Sequence, residues 1–66
     1  MSDKAIIELM QSNIDIAKKL KIEFVLTYSG EYDEWVAFDV NDNTPVPGKT
    51  PEECLKRFMT VLKSSL

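Results

Sequence analysis

Histidine is absent from this chain of 66 residues, and cysteine occurs once, as Cys54. Without histidine the chain lacks the side chain that most often serves as general base, metal ligand or pH switch near neutrality. A single cysteine cannot form a disulfide within the chain, and sparse cysteine is typical of a reducing compartment. The sequence therefore predicts neither a histidine-dependent enzyme nor a disulfide-stapled fold.

Long apolar runs are absent as well. No stretch approaches the roughly 18 consecutive apolar residues of a membrane-spanning helix. The N-terminus shows no basic segment followed by an apolar core, so we expect no signal peptide and a cytoplasmic protein. With 66 residues and 44% hydrophobic content, the chain fits one folded domain, 1–66, with a small core.

Basic residues are missing from the middle of the chain. No lysine or arginine lies between Lys21 and Lys49. The same interval carries these carboxylates: Glu23, Glu31, Asp33, Glu34, Asp39 and Asp42. An acidic surface repels nucleic-acid phosphates, which argues against DNA or RNA as a partner. Two interpretations stay open: a solvated hairpin kept soluble by its charges, or a patch that docks on a basic protein.

Two stretches have the three- and four-residue apolar spacing of amphipathic helices. The first follows Ser2, a candidate cap, and runs for about five turns. Its apolar face comprises Ile6, Leu9, Met10, Asn13, Ala17 and Leu20, widened by Ile7, Ile14 and Ile16. Before the second, Thr50 is the predicted cap, Pro51 the first helical residue and Glu53 the partner in a capping box. Its core stripe comprises Cys54, Leu55, Phe58, Val61 and Leu62.

From residue 22 the apolar period changes to two, which predicts a β-hairpin with its turn at residues 29–34. The expected register pairs Tyr28 with Val36, Leu26 with Phe38 and Phe24 with Val40. A short third strand is expected at residues 44–46. The fold class is α+β in two layers, in the order helix, strand, strand, short strand, helix, with both helices on one sheet face. The opposite face would then carry Val25, Thr27, Trp35 and Ala37; burial of Trp35 through a register shifted by one residue is the alternative.

Three features could carry chemistry, and each has a simpler interpretation. The segment from Asp39 to Pro45 resembles the calcium-binding linker of cadherins, D-x-N-D-N-x-P, but the chain is too short for that fold, and an Asn/Asp-rich turn explains it. The carboxylates of the hairpin turn lack the cleft that acid–base catalysis needs. Cys54 lies on a core stripe and fits a small buried hydrophobe. We therefore expect no enzyme activity, catalytic residue, metal or cofactor.

Residues 24–62 resemble the HicB antitoxin-like module, in which a strand hairpin leads into a segment like G-x-T-x-E-E-A and an amphipathic helix. The resemblance is carried by Gly48, Thr50, Glu52, Glu53 and Cys54, the last standing where the family usually has alanine. This chain adds a long first helix and lacks the family's proline-glycine motif and DNA-binding extension. The resemblance implies partner binding or a degenerate nuclease-like fold, and not catalysis.

The element order also resembles a double-stranded-RNA-binding domain. Those domains place a lysine cluster at the start of the last helix, where this chain has Pro51, Glu52 and Glu53. The substitution of carboxylates for lysines argues against RNA binding. Compact acidic proteins of this size are also typical of phage and mobile-element accessory genes.

We therefore expect a non-enzymatic protein-binding module that regulates or inhibits a protein partner. Its predicted contact residues are Glu31, Tyr32, Asp33, Glu34 and Trp35. One alternative is a HicB-like antitoxin or dimeric regulatory module, with a homodimer formed through the N-terminal helix. A further alternative is a nucleic-acid-binding domain that uses Lys18, Lys19, Lys21, Lys56, Arg57 and Lys63.

Overall fold

A computed structural model describes residues 3–42 and 44–66. The elements in chain order are α1 (Asp3–Leu20), β1 (Phe24–Ser29), β2 (Glu34–Asp39), β3 (Val46–Gly48) and α2 (Pro51–Lys63). The strands form one antiparallel sheet in the order β1-β2-β3. The predicted α+β order of elements is confirmed. The predicted cap at Ser2 and the turn residue Asn43 lie outside the described residues.

Helix α1 ends where Lys21 adopts a left-handed backbone conformation with φ 57°. The amide of Ile22 donates to the Ala17 carbonyl at 3.0 Å, and that of Lys21 donates to the Lys18 carbonyl at 3.3 Å. This pair of bonds satisfies carbonyls that a helix end leaves without partners, as in a Schellman motif. At this motif the chain changes direction and continues into β1.

The start of α2 follows from its capping residues. The Thr50 hydroxyl accepts a hydrogen bond from the Glu53 amide at 3.1 Å, and Pro51 is the first helical residue, as predicted. The Glu53 carboxylate accepts from the Lys49 amide at 2.8 Å, one residue earlier than in a standard capping box. The two bonds fix the angle between the end of β3 and the helix.

The predicted hairpin register is wrong by one residue. In the structure Tyr28 pairs with Trp35, Leu26 with Ala37 and Phe24 with Asp39. The shift arises because Ser29 pairs with Glu34, which leaves a four-residue turn, residues 30–33. Because side chains alternate along a strand, a shift by one exchanges the two faces of β2.

The exchange of the two faces of β2 determines which of its residues the helices cover. Trp35 and Ala37 lie on the helix-covered face, so the expectation that they stand on the opposite one is wrong, and the alternative of a register shifted by one residue is confirmed. Ala37 is buried there against Cys54 and Phe58 of α2, where a small side chain lets the helix approach the sheet. Val36 and Phe38 take the uncovered face with Val25 and Thr27.

The core lies between this sheet face and the helices. Its buried apolar members are Ile16, Ala17, Ala37, Cys54, Leu55, Phe58 and Leu62. Helix α2 packs on β2 and β3, while α1 packs mainly against α2. The rings of Phe24 and Phe58 lie with their centroids 5.2 Å apart and join β1 to the core. Ile7, at the margin of the predicted α1 stripe, is 66% exposed.

Candidate protein-binding surface

The hairpin turn, residues 30–33, projects from the sheet beyond the Ser29–Glu34 pair. We call it the acidic turn, because Glu31 and Asp33 flank Tyr32 within it. All three side chains are exposed, and Tyr32 exposes 67% of its surface. An aromatic ring is therefore presented to solvent between two carboxylates.

The acidic turn is anchored by residues at the ends of the adjoining strands. The Tyr28 hydroxyl donates a hydrogen bond to the Asp33 carboxylate. The Tyr28 ring meets the Trp35 ring edge-on, with centroids 5.6 Å apart. Asp33 has φ 50°, a left-handed conformation that aspartate tolerates better than most residues. These contacts hold the turn in one arrangement.

The anchoring hydrogen bond also affects the ionisation of Tyr28. The bond to Asp33 raises the pKa of the Tyr28 phenol above its ordinary value, and desolvation and the Asp33 charge act in the same direction. The phenol is therefore protonated at neutral pH and serves as the donor to Asp33.

The five predicted contact residues divide into two groups. Glu31, Tyr32 and Asp33 lie together on the acidic turn, and Glu34 begins β2 beside them, half-buried. Trp35 is half-buried on the helix-covered face and packs against the core, so it supports the turn from below. The anchoring role of Tyr28 is not predictable from the sequence, because it depends on the pairing of Tyr28 with Trp35.

The uncovered sheet face is the second apolar surface. It carries Val25, Val36 and Phe38, with Thr27 between them and Pro47 of β3 beside Val36. Val25 is 39% exposed, while Val36 and Phe38 are half-buried. No sequence signal places Val36 and Phe38 on this face, because the four-residue length of the turn is known only from the structure.

Cys54 is buried with 0% of its surface exposed. Its thiol donates to the Val46 carbonyl at 3.2 Å. Burial raises the pKa of the Cys54 thiol, and a hydrogen bond with the Ala37 backbone and the Arg57 charge offset this only in part. The interpretation of Cys54 as a small buried hydrophobe is confirmed.

The raised pKa of Cys54 predicts a pH dependence of stability. The folded protein keeps the thiol proton to higher pH than the unfolded chain, whose thiol titrates near about 8.5. Unfolding then releases a proton, so the free energy of unfolding falls as pH rises above that value. Urea denaturation from about pH 8 to about pH 10 should show a steeper fall for the wild type than for Cys54→Ala. Parallel curves would contradict the raised pKa.

The Asn/Asp-rich segment after β2 forms a turn. The Asn41 amide donates to the Asp39 carboxylate at 2.9 Å, which is the bond of an Asx turn. This agrees with the turn interpretation for Asp39 and Asn41, whereas Asn43 is not among the described residues. In residues 3–42 and 44–66, no three cysteine or carboxylate side chains lie together as a metal site.

The basic residues of the nucleic-acid alternative fall into two places. On α2, Lys56 pairs with Glu52 at 3.4 Å, and Arg57 lies 4.0 Å from Glu53. Arg57 also donates to the Pro47 carbonyl at 3.3 Å. These pairs reduce the positive field of α2 toward solvent. The other cluster, Lys18, Lys19 and Lys21, stands at the C-terminal end of α1, just before β1.

Comparison of the chain with protein-family models, curated proteins and solved structures gives no match. The resemblances to the HicB antitoxin-like module and to the double-stranded-RNA-binding domain therefore stay predictions. Of the helices in the described part of the chain, none is long and apolar enough to cross a membrane.

Proposed function

We propose that this domain binds a protein partner through the acidic turn and acts as a non-catalytic regulator or inhibitor of that partner. The observation that carries the proposal is Tyr32, which is 67% exposed between two carboxylates. Tyrosine is enriched among the residues that dominate binding energy at protein interfaces. Flanking carboxylates supply the charge that orients a partner.

The chemistry of the turn indicates the kind of surface it fits. The Tyr32 ring suits a shallow apolar pocket, and Glu31 and Glu34 suit lysine or arginine side chains at its rim. Residues 22–48 contain no lysine or arginine, so nothing within the hairpin neutralises these carboxylates. The partner surface is therefore basic around an apolar centre, and its association rate falls as salt is added.

The anchoring of the turn favours binding. Tyr28 holds Asp33 by its hydrogen bond and packs against Trp35. A turn already held in one arrangement loses less conformational entropy when it binds than a mobile one. Tyr28 and Trp35 thus act as supporting residues, and Tyr32 with the carboxylates forms the contact.

The test is affinity capture from a lysate with quantitative mass spectrometry, followed by titration of the protein identified. Tyr32→Ala should weaken its binding by at least about tenfold, because it removes a central aromatic contact. Glu31→Gln with Glu34→Gln should weaken binding at low salt and less at high salt. This double variant spares Asp33 and so keeps the anchor.

The matched control is Glu8→Gln with Asp15→Asn, which makes the same charge change at exposed positions of α1. It should leave capture unchanged. If the wild type, Tyr32→Ala and the control retain the same proteins in the same amounts, the acidic turn is not the binding surface.

A further inference from the structure

Strand β1 is an edge of the sheet, and backbone groups on its outer side have no hydrogen-bond partner among the described residues. The Val40 amide donates to the Glu23 carbonyl at 2.9 Å. This bond determines which alternate residues of β1 direct their backbone groups toward β2. Because donors and acceptors alternate along an antiparallel strand, Val25, Thr27 and Ser29 bond toward β2. The amides and carbonyls of Phe24, Leu26 and Tyr28 therefore point away from the sheet, and no described residue bonds to them.

The two edges of the sheet differ in protection. Edge strands are usually guarded by shortness, proline, lysine or a bulge. Strand β3 has three residues, contains Pro47, and is flanked by Pro45 and Lys49. Strand β1 has six residues, FVLTYS, with no charge, proline or glycine. It is thus the edge that can accept another strand.

An apolar groove runs beside this free edge. It has a volume of about 330 Å³ and lies between α1 and β1, with Met10, Ile14, Ile22 and Phe24 among its lining residues. Ile7, which is 66% exposed, continues the stripe of Met10 and Ile14 at helical spacing. A strand added to β1 would place its inward side chains against this groove.

The distribution of charge identifies the added strand. Lys18 and Lys21 stand before β1, and the acidic turn follows it. When two β1 strands pair antiparallel, the basic end of each lies beside the acidic end of the other. A pairing centred on Leu26 therefore brings the end of β1 that follows Lys21 in one copy toward the acidic turn, with Glu31, of the other. The same register pairs Phe24 with Tyr28, an aromatic cross-strand pair.

We propose that this protein forms a two-fold dimer in which β1 pairs antiparallel with β1 of a second copy, centred on Leu26. Phe24, Leu26 and Tyr28 then donate and accept the hydrogen bonds that their free edge lacks. The two sheets join into one, and the exposed stripe of α1 approaches its counterpart across the two-fold axis. Glu31 belongs to both proposed contacts, but Tyr32 takes no part in the dimer, so Tyr32→Ala tests the partner site apart from the dimer.

The test exploits the intermolecular charge pair. Lys21→Glu puts a glutamate at the end of β1 that lies beside the acidic turn of the second copy, and Glu31→Lys puts a lysine in the turn that lies beside Lys21 of the second copy. Sedimentation equilibrium at low salt should show each single variant dimerising at least about tenfold more weakly than the wild type. An equimolar mixture of the two variants should recover association, because in the heterodimer positions 21 and 31 that lie at the same end of the paired strands again carry opposite charges.

Amide hydrogen exchange gives a second measurement on the unaltered chain. Exchange at Phe24, Leu26 and Tyr28 should slow as the concentration rises from about 20 µM to about 1 mM, while Val25 and Thr27 are protected throughout. A wild type that stays monomeric to 1 mM overturns the proposal and leaves the edge to a strand of another protein. If both charge variants dimerise with the affinity of the wild type, the proposal is also overturned, and contact through α1 is indicated instead. Tyr32→Ala should leave the dimer unchanged.

Discussion

Gly48→Ala should lower the free energy of unfolding by about 2–3 kcal/mol, the cost of forcing an extra carbon into a packed contact that cannot yield. A Cβ atom at Gly48 would lie 2.5 Å from the Cys54 amide nitrogen and 2.6 Å from the Cys54 Cα. Both atoms belong to the first turn of α2, so no side-chain rotation can relieve the overlap. The strand and the helix would have to separate.

Gly48 is held in place from both sides, which is why the effect is large. It is buried, and it pairs with Trp35 in the sheet. Its φ is not positive, so close approach of the backbone, rather than conformational freedom, requires glycine here. Movement of β3 away from α2 would also disturb the Thr50 cap and the contact of Cys54 with Val46.

Urea denaturation followed by fluorescence of the single tryptophan measures the change, and the melting temperature should fall by about 10–20 °C for a domain of this size. Gly30→Ala is the matched control. A Cβ at Gly30 would meet only the Tyr28 ring, at an ordinary 3.9 Å, and the backbone there is also not left-handed. This variant should stay within about 1 kcal/mol of the wild type or gain slightly. Equal effects at the two glycines would contradict the close approach at Gly48.

The order of elements and the start of α2 were predictable from local signals. Helical spacing, strand alternation and the Thr50–Pro51–Glu53 cap each depend on residues close together in the chain. The hairpin register was not predictable in this way. Alternation shows which residues of one strand share a face, but only the turn determines which face of β1 matches which face of β2. Residues 29–34 carry no Asn-Gly or Asp-Gly signal, and the left-handed conformation at Asp33 is supported by Tyr28 across the turn.

The same distinction applies to the candidate surfaces. The acidic turn could be found from composition, since exposed carboxylates need no tertiary information. Its anchor, the contact of Tyr28 with Trp35 and Asp33, requires the correct register. Identification of β1 as a free edge requires the order of strands in the sheet, and no local pattern indicates which strand lies in the middle. The polar part of the surface was therefore predictable from the sequence, whereas the contacts of Tyr28 that support it were not.

Asn13→Asp should be the second strongly destabilising change, by about 3–5 kcal/mol at neutral pH, as expected when an uncompensated charge is buried. Asn13 lies on α1 with 0% of its surface exposed. Its amide nitrogen donates to the Leu9 carbonyl at 2.8 Å and to the Leu55 carbonyl of α2 at 3.2 Å. An aspartate would lose both donors and place a carboxylate against two carbonyl oxygens.

The penalty should depend on pH with a definite sign. Burial disfavours the charged form, so the folded variant holds its carboxyl proton to higher pH than the unfolded chain, where aspartate titrates near about 3.9. The folded state then binds more protons, and the variant loses stability as pH rises through this range. Urea denaturation should show a smaller deficit relative to wild type near pH 4 than near pH 7.

Asn13→Leu separates the effect of charge from that of the lost hydrogen bonds. The Leu9 and Leu55 carbonyls also accept amides within their own helices, so leucine leaves them satisfied. It also removes the asparagine Oδ1, which is buried and has no hydrogen-bond partner among the described residues. Replacing such a group with an apolar side chain of similar size should leave stability within about 1 kcal/mol of the wild type. If Asn13→Asp and Asn13→Leu had the same free energy of unfolding at pH 7, water would have to reach the helix interface. The closed packing of α1 on α2 around Asn13 would then be wrong.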